Sequence, residues 1–340
     1  MRRLSRALLS VTTVATLGVA GCSDDPSTPT TADSPPAAGS PSAAVENAGE
    51  FYVEPTGPAV DQVAQWEAAG RTADATAIRR IAAAPMAVWF ADGNPGYADR
   101  ARALVTAAST ASTTPLLVAY HVPQRDCGGY SGGGASDAAA YRTWIAALAD
   151  AVRGSGAIVV LEPDAITHVL EGCVTGTAVT ERYALLAEAI RELKKDGSVR
   201  VYLDAGNPSW IKDVDRVVDG LQQAGVGDAD GFSLNVANFE TTEANIAYGD
   251  EISNRLGGKN YVIDTSRNGN GPAEVGSGDG HWCNPPGRAL GATPTTATGH
   301  DRVDAYLWIK RPGESDGACG DGAPEAGQWW PDYALGLATN

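Results

Sequence analysis

Seven short apolar runs, each followed by a longer amphipathic or loop stretch, set the tightest limit on how this chain folds. They occupy residues 86–90, 115–120, 158–161, 200–203, 231–234, 261–263 and 305–309. Each is apolar enough to be buried on both faces, as strands of a parallel sheet are. The intervening stretches carry helical spacing: Tyr141, Trp144, Ile145, Leu148 and Val152 within 141–153, and Leu185, Leu186, Ile190 and Leu193 within 181–195. Strand and helix alternating in this way predict an α/β domain whose helices cover a parallel sheet.

The first fifty residues follow a different rule. Arg2, Arg3 and Arg6 precede an apolar run over 7–20 that is too short to cross a bilayer as a helix, the pattern of an export signal. Val19-Ala20-Gly21-Cys22 resembles a bacterial lipobox, so residues 1–21 read as a lipoprotein-type signal peptide with Cys22 lipidated; ordinary secretion is the alternative. Residues 22–50 are Ser, Thr, Pro, Ala, Asp and Gly with almost nothing to bury, which predicts a tether, and residues 51–340 form one domain. The expected site is therefore extracellular, held to a membrane only through the lipid. An oxidising compartment favours two structural disulfides among Cys127, Cys173, Cys283 and Cys319 over reactive thiols or zinc, and no CxxC pair is present. A formal charge of −16 excludes a surface that tracks nucleic-acid phosphates.

In parallel α/β folds, ligands bind beyond the carboxyl ends of the strands. Here those ends read Trp89-Phe90-Ala91-Asp92, Tyr120-His121 through Arg125-Asp126-Cys127, Glu162-Pro163-Asp164, Asp204-Ala205-Gly206, Asn235-Val236-Ala237-Asn238, Asp264-Thr265-Ser266-Arg267 and Lys310-Arg311 through Glu314-Ser315-Asp316. A lone surface carboxylate is usually a solvated charge. Several on one rim raise one another's pKa, so that one stays protonated while another stays ionised, the division of labour that glycoside hydrolysis needs. Eight Trp against four Phe is an unusual ratio for a core. Indole faces stack on sugar rings, and Trp89, Trp210 and Trp282 fall near the rim, whereas Trp308 alternates with strand residues and is placed in the core.

Taken together, Arg125-Asp126-Cys127, Val160-Leu161-Glu162-Pro163-Asp164, Leu203-Asp204-Ala205-Gly206, the run 264–269, Trp282-Cys283 and the stretch from Trp308 to Asp316 resemble glycoside hydrolase family 6, in family order across residues 51 to 340. The resemblance implies a distorted seven-stranded variant of the TIM barrel and inverting hydrolysis of β-1,4-glucan by a monomer needing no cofactor or metal. It implies Asp164 as general acid, Asp126 as the neighbouring carboxylate that raises the acid's pKa and relays protons, and Asp316 as base. Tyr120 matches the residue beneath the sugar at the cleavage point. Trp89, Trp210 and Trp282 match stacking positions, Lys310, Glu314 and Asn235 bind or shape, and Asp204 and Arg267 support the site. It also implies the pairings Cys127–Cys173 and Cys283–Cys319.

Two positions depart from the family pattern: Asn207 stands where many members have His, and Gly132 where many have a water-holding Ser, with Ser131 adjacent. The stretches after Asp126 and Asp316 are short, which predicts an open cleft and endo action; exo action from chain ends, or glucan binding without turnover, are the rivals. Neither Gly-rich run, 131–134 or 268–272, has the spacing and strand–helix setting of a dinucleotide site, and His121, His168, His281 and His300 lack paired ligand spacing.

Overall fold

A computed structural model describes residues 50–274, 281–320 and 322–340. The expected signal peptide, Cys22 and the tether up to residue 49 lie outside the described residues. Seven strands form one sheet: β1 (Val88–Phe90), β2 (Leu116–Ala119), β3 (Ile158–Leu161), β4 (Arg200–Asp204), β5 (Gly231–Leu234), β6 (Asn260–Asp264) and β7 (Val303–Leu307). Every neighbouring pair is parallel and the spatial order is the sequence order. Helices α1 (Pro58–Ala68), α2 (Thr72–Ala82), α3 (Tyr97–Thr110), α4 (Ala138–Val152), α5 (Ala165–Leu170), α6 (Thr177–Leu193), α7 (Val214–Gln223), α8 (Thr242–Arg255) and α9 (Pro331–Thr339) complete the elements.

The pleat explains why the strands are apolar throughout. Leu117, Val159, Leu161, Val201, Leu203, Phe232 and Ile263 point outward into a core shared with Leu148, Leu186, Leu221 and Ile252 of the helices. Their alternates Leu116, Val118, Tyr120, Ile158, Val160, Tyr202, Val262 and Leu307 fill the inside of the curled sheet. A third cluster packs α1, α2 and α9 around Trp308, which is buried and donates its indole N–H to Ala292 O at 2.8 Å. The sheet is a distorted barrel: β1 and β7 do not pair as strands, and Ala87 N–H to Trp308 O at 2.9 Å bridges the start of β1 to the end of β7.

All seven expected strands form. The last lies two residues earlier than its apolar run, because beyond Leu307 the amides of Ile309 and Lys310 donate to the Asp264 carboxylate instead of a neighbouring strand. α4 starts three residues before its first apolar position because the Asp137 side chain caps it by accepting the Ala140 N–H. Both disulfides have the pairing implied by the resemblance, Cys127–Cys173 and Cys283–Cys319. No helix among the described residues is long and apolar enough to cross a membrane.

Candidate active site

Beyond the carboxyl ends of the strands lies a cavity of about 920 Å³ lined by Trp89, Tyr120, Asp126, Asp164, His168, Trp210, Trp282, Lys310, Glu314 and Asp316 among others. Of the twelve residues expected to act on or support the substrate, nine line it, and Asn235 and the supports Asp204 and Arg267 do not.

Asp164 is the residue before α5, held in the left-handed region at φ 68. Few non-glycine residues adopt that conformation, and here neighbours fix it. Its amide donates to Asp204 Oδ2 at 2.9 Å, and its own carboxylate faces the Tyr120 hydroxyl at 3.5 Å. Asp126, also left-handed at φ 54, occupies a short 3-10 turn after β2 and accepts the Ser131 N–H at 2.6 Å. Asp126, Asp164 and His168 each bring one potential ligand atom within 4.8 Å of the others, the one such group among the described residues that could share a cation. Burial, then the charges of Asp204 and Asp126, push the Asp164 carboxyl well above the usual carboxylate range. Burial also raises Asp126, and raises Asp204 to about 6. His168 is lowered to about 4 by burial and the Arg182 charge, so its ring is neutral at weakly acidic pH.

Asp316 has the opposite environment. Arg267 donates to it at 2.8 Å, Lys310 Nζ lies 3.3 Å away and the Asn284 amide donates at 3.0 Å. Those cations outweigh its burial and hold it below the ordinary range. Arg267 is completely buried, lies over the Phe239 ring and also donates to Ala237 O.

The aromatic residues are oriented by polar ties. Trp89 donates to Ile309 O and stands edge-on to Tyr120, Trp210 stands edge-on to His168, and Trp282 lies beside Tyr130. Asn207, one of the departures, accepts the amides of Ser209 and Trp210 with its side-chain oxygen and so sets the Trp210 turn. The other departure, Gly132, lies where a Cβ would come 3.0 Å from Gly128 Cα, so a larger residue needs the Gly128–Gly129 backbone to shift by a few tenths of an ångström. Tyr130 packs against Gly317, at φ 151, bringing the Asp126 loop and the Asp316 loop into contact.

One expected binding residue belongs elsewhere. Asn235 is fully buried and spends its amide on Glu240 and on Asp264 O, so it shapes the loop after β5 and does not face the cleft.

Two buried carboxylates were not singled out from sequence. Glu162 accepts the amides of His121 and Val122 at 3.0 Å, tying the end of β3 to the loop after β2. Burial raises it to about 7. Asp264 accepts amides of Ser266, Ala237, Ile309 and Lys310, joining the ends of β5, β6 and β7. The signal available was their position: an acid ending an otherwise apolar strand has no water to solvate it and must find backbone donors.

A curled parallel barrel with paired, desolvated carboxylates in a tryptophan-lined cleft defines a carbohydrate-cleaving class of site. Residues 46–340 match the family model described as glycosyl hydrolases family 6, and the chain belongs to that family. It is 45% identical over 294 residues to endoglucanase A of Cellulomonas fimi, covering 85% of this chain and 61% of that relative's length. It is 42% identical over 296 residues to endoglucanase 1 of Streptomyces halstedii, covering 84% and 87%. Among solved structures, the endoglucanase Cel6 of Mycobacterium tuberculosis in complex with methyl-cellobiosyl-4-deoxy-4-thio-β-D-cellobioside superposes with a TM-score of 0.77 at 42% identity, covering 86% of this chain and 98% of that one.

Proposed function

We propose that the protein is an endoglucanase that hydrolyses internal β-1,4-glucosidic bonds with inversion. The observation that carries this reading is the Asp164 carboxyl: desolvated, beside Asp126, and set in a cleft walled by indoles. Asp164, protonated at rest, gives its proton to the glycosidic oxygen as the bond breaks. Asp126 keeps that proton on Asp164 by its charge and relays protons with the water in the cleft. Asp316 is the proposed base toward the attacking water on the other side of the ring. Arg267 and Lys310 keep it ionised and make it a weak proton acceptor, so a proton taken there passes on to solvent. Tyr120 supports the sugar at the cleaved bond, Trp89, Trp210 and Trp282 hold neighbouring sugars, and Lys310 and Glu314 meet hydroxyls. Short loops after Asp126 and Asp316, and relatives named endoglucanases, support attack in mid-chain.

Soluble substituted cellulose and cello-oligosaccharides test this reading. Expected are a rapid fall in viscosity, α-anomeric first products, and a loss of about 10²- to 10⁴-fold in kcat for Asp164→Ala with binding kept. β-Anomeric products, or cellobiose released without a fall in viscosity, would overturn it.

The basic, apolar N-terminus leading into Cys22 supports export and lipidation at Cys22, a tether over 22–50, and action on glucan outside the cell. Cys22→Ser is expected to move the protein from the membrane fraction to the medium; retention on the membrane would reject the anchor.

A further inference from the structure

The two aspartates proposed to share the acid's proton come from different segments, Asp126 from the loop after β2 and Asp164 from the end of β3, and both backbones are left-handed. Gln124 and Cys127 beside Asp126, and Glu162 beside Asp164, are left-handed as well. Aspartate tolerates this region better than most residues, but Gln, Cys and Glu do not, so contacts from outside the segments hold these runs.

Arg182, on α6, reaches both. It is 3% exposed. Its Nη1 donates to Ala165 O, one residue after Asp164, at 3.2 Å. Its Nη2 donates to Pro123 O at 2.6 Å and lies 3.5 Å from Gln124 O, on the approach to Asp126. Glu162 also ties the end of β3 to the loop after β2, and the Cys127–Cys173 disulfide fastens the far side of the Asp126 turn to the segment after α5. Arg182 makes none of the ion pairs found among the described residues, an unusual state for a buried cation. The charged and titratable groups that face it are Glu162, Tyr141, Tyr120 and His168.

We propose that Arg182 is a positioning residue: its planar fork clamps the Asp126 loop to the start of α5 and thereby sets the separation of the two catalytic carboxylates. A guanidinium suits this task because its donors diverge in one rigid plane, so two carbonyls from different segments are held in register by one group. A lysine in its place carries its three donors on one nitrogen and lacks the rigid fork that fixes their directions. The clamp touches neither substrate nor reacting atoms, and acts only through the two aspartates. The proposal rests on the acid-pair reading given above.

The test compares the full chain with Arg182→Met, which keeps the apolar stem, and Arg182→Lys, which keeps stem and charge. Expected for Arg182→Met is a fall of about 10- to 100-fold in kcat on cello-oligosaccharides, as for a misplacement near 1 Å, with KM changed less than about threefold. The alkaline limb of its kcat–pH profile moves to lower pH, because Asp126 no longer sits close enough to hold the proton on Asp164. Arg182→Lys lies between the two. Crystal structures of wild type and Arg182→Lys should show a longer Asp126–Asp164 separation in the variant. An unmoved profile and an unchanged separation, with only a lower Tm, would overturn the clamp and leave a structural arginine. If wild type fails to cleave β-1,4-glucan, the functional reading falls, while the measured carboxylate separation still decides the clamp.

Discussion

Asp316 carries a structural role beside the chemical one proposed for it, and one substitution acts on both. Its carboxylate is the counter-charge for Arg267 and Lys310, both buried. Removing one member of a buried charge cluster leaves the others uncompensated, at a cost of about 3–5 kcal/mol. Asp316→Asn is therefore expected to lower the melting temperature as well as kcat. Because the carboxyl is held below its usual range, its share of stability is present at neutral pH and disappears as pH falls through that lowered value. Thermal unfolding of the variant and wild type from pH 3 to pH 7 checks both parts. A variant as stable as wild type but inactive would make Asp316 a chemical group alone. Asp164 differs in kind: its charge is unwanted by its surroundings, so Asp164→Ala is expected to remove the proposed activity at little cost in stability. The sequence showed that both aspartates lie on one rim but not which is ionised, since that depends on Arg267 folding back from the end of β6.

At the scale of elements, what could be read from the chain followed burial and what could not followed long-range polar contacts. Seven apolar runs became seven strands because a parallel strand inside a barrel is apolar on both faces. Helical spacing placed α4 and α6 within a few residues for the same reason. The errors fall where a side chain replaces a backbone partner. β7 stops at Leu307 because Asp264 takes the next free amides, and Asn235 turns inward because the loop after β5 needs its amide. Glu162, Asp204 and Asp264 show a shared device, a buried acid at a strand end that accepts amides from the adjacent strand end. In this way the rim is tied from β2 through β7 with little regular structure above the sheet. From sequence only Asp204 is expected to support the site, because composition does not reveal whether a carboxylate faces amides or substrate.

For the molecule as a whole, these anchors carry a consequence for the pH at which the fold is strongest. Glu162 is raised from 4.5 to about 7 and Asp204 from 3.8 to about 6, and Asp164, Asp264 and Asp126 move in the same direction, each mainly through burial. Above the unfolded values the native state holds protons that the unfolded chain has already lost. Stability therefore falls as pH rises through this window, by on the order of 3 kcal/mol for Glu162 alone by the time its folded value is passed. The formal charge of −16 adds repulsion in the same direction. At the acid end Asp316 acts oppositely, since protonating it breaks its pairs with Arg267 and Lys310. The two limbs predict greatest thermal stability between about pH 4 and pH 6, with a melting temperature several degrees lower at pH 8. Glu162→Gln, uncharged at every pH, is expected to start lower, since one of the two oxygens that accept backbone N–H groups becomes a donor NH₂, but to lose less between pH 5 and pH 8. Calorimetric scans across that range decide the matter: a melting temperature that climbs toward neutrality, with the same slope in the variant, would mean that these buried acids are ionised and well solvated by their amides, and that the proton held on Asp164 has no counterpart deeper in the rim.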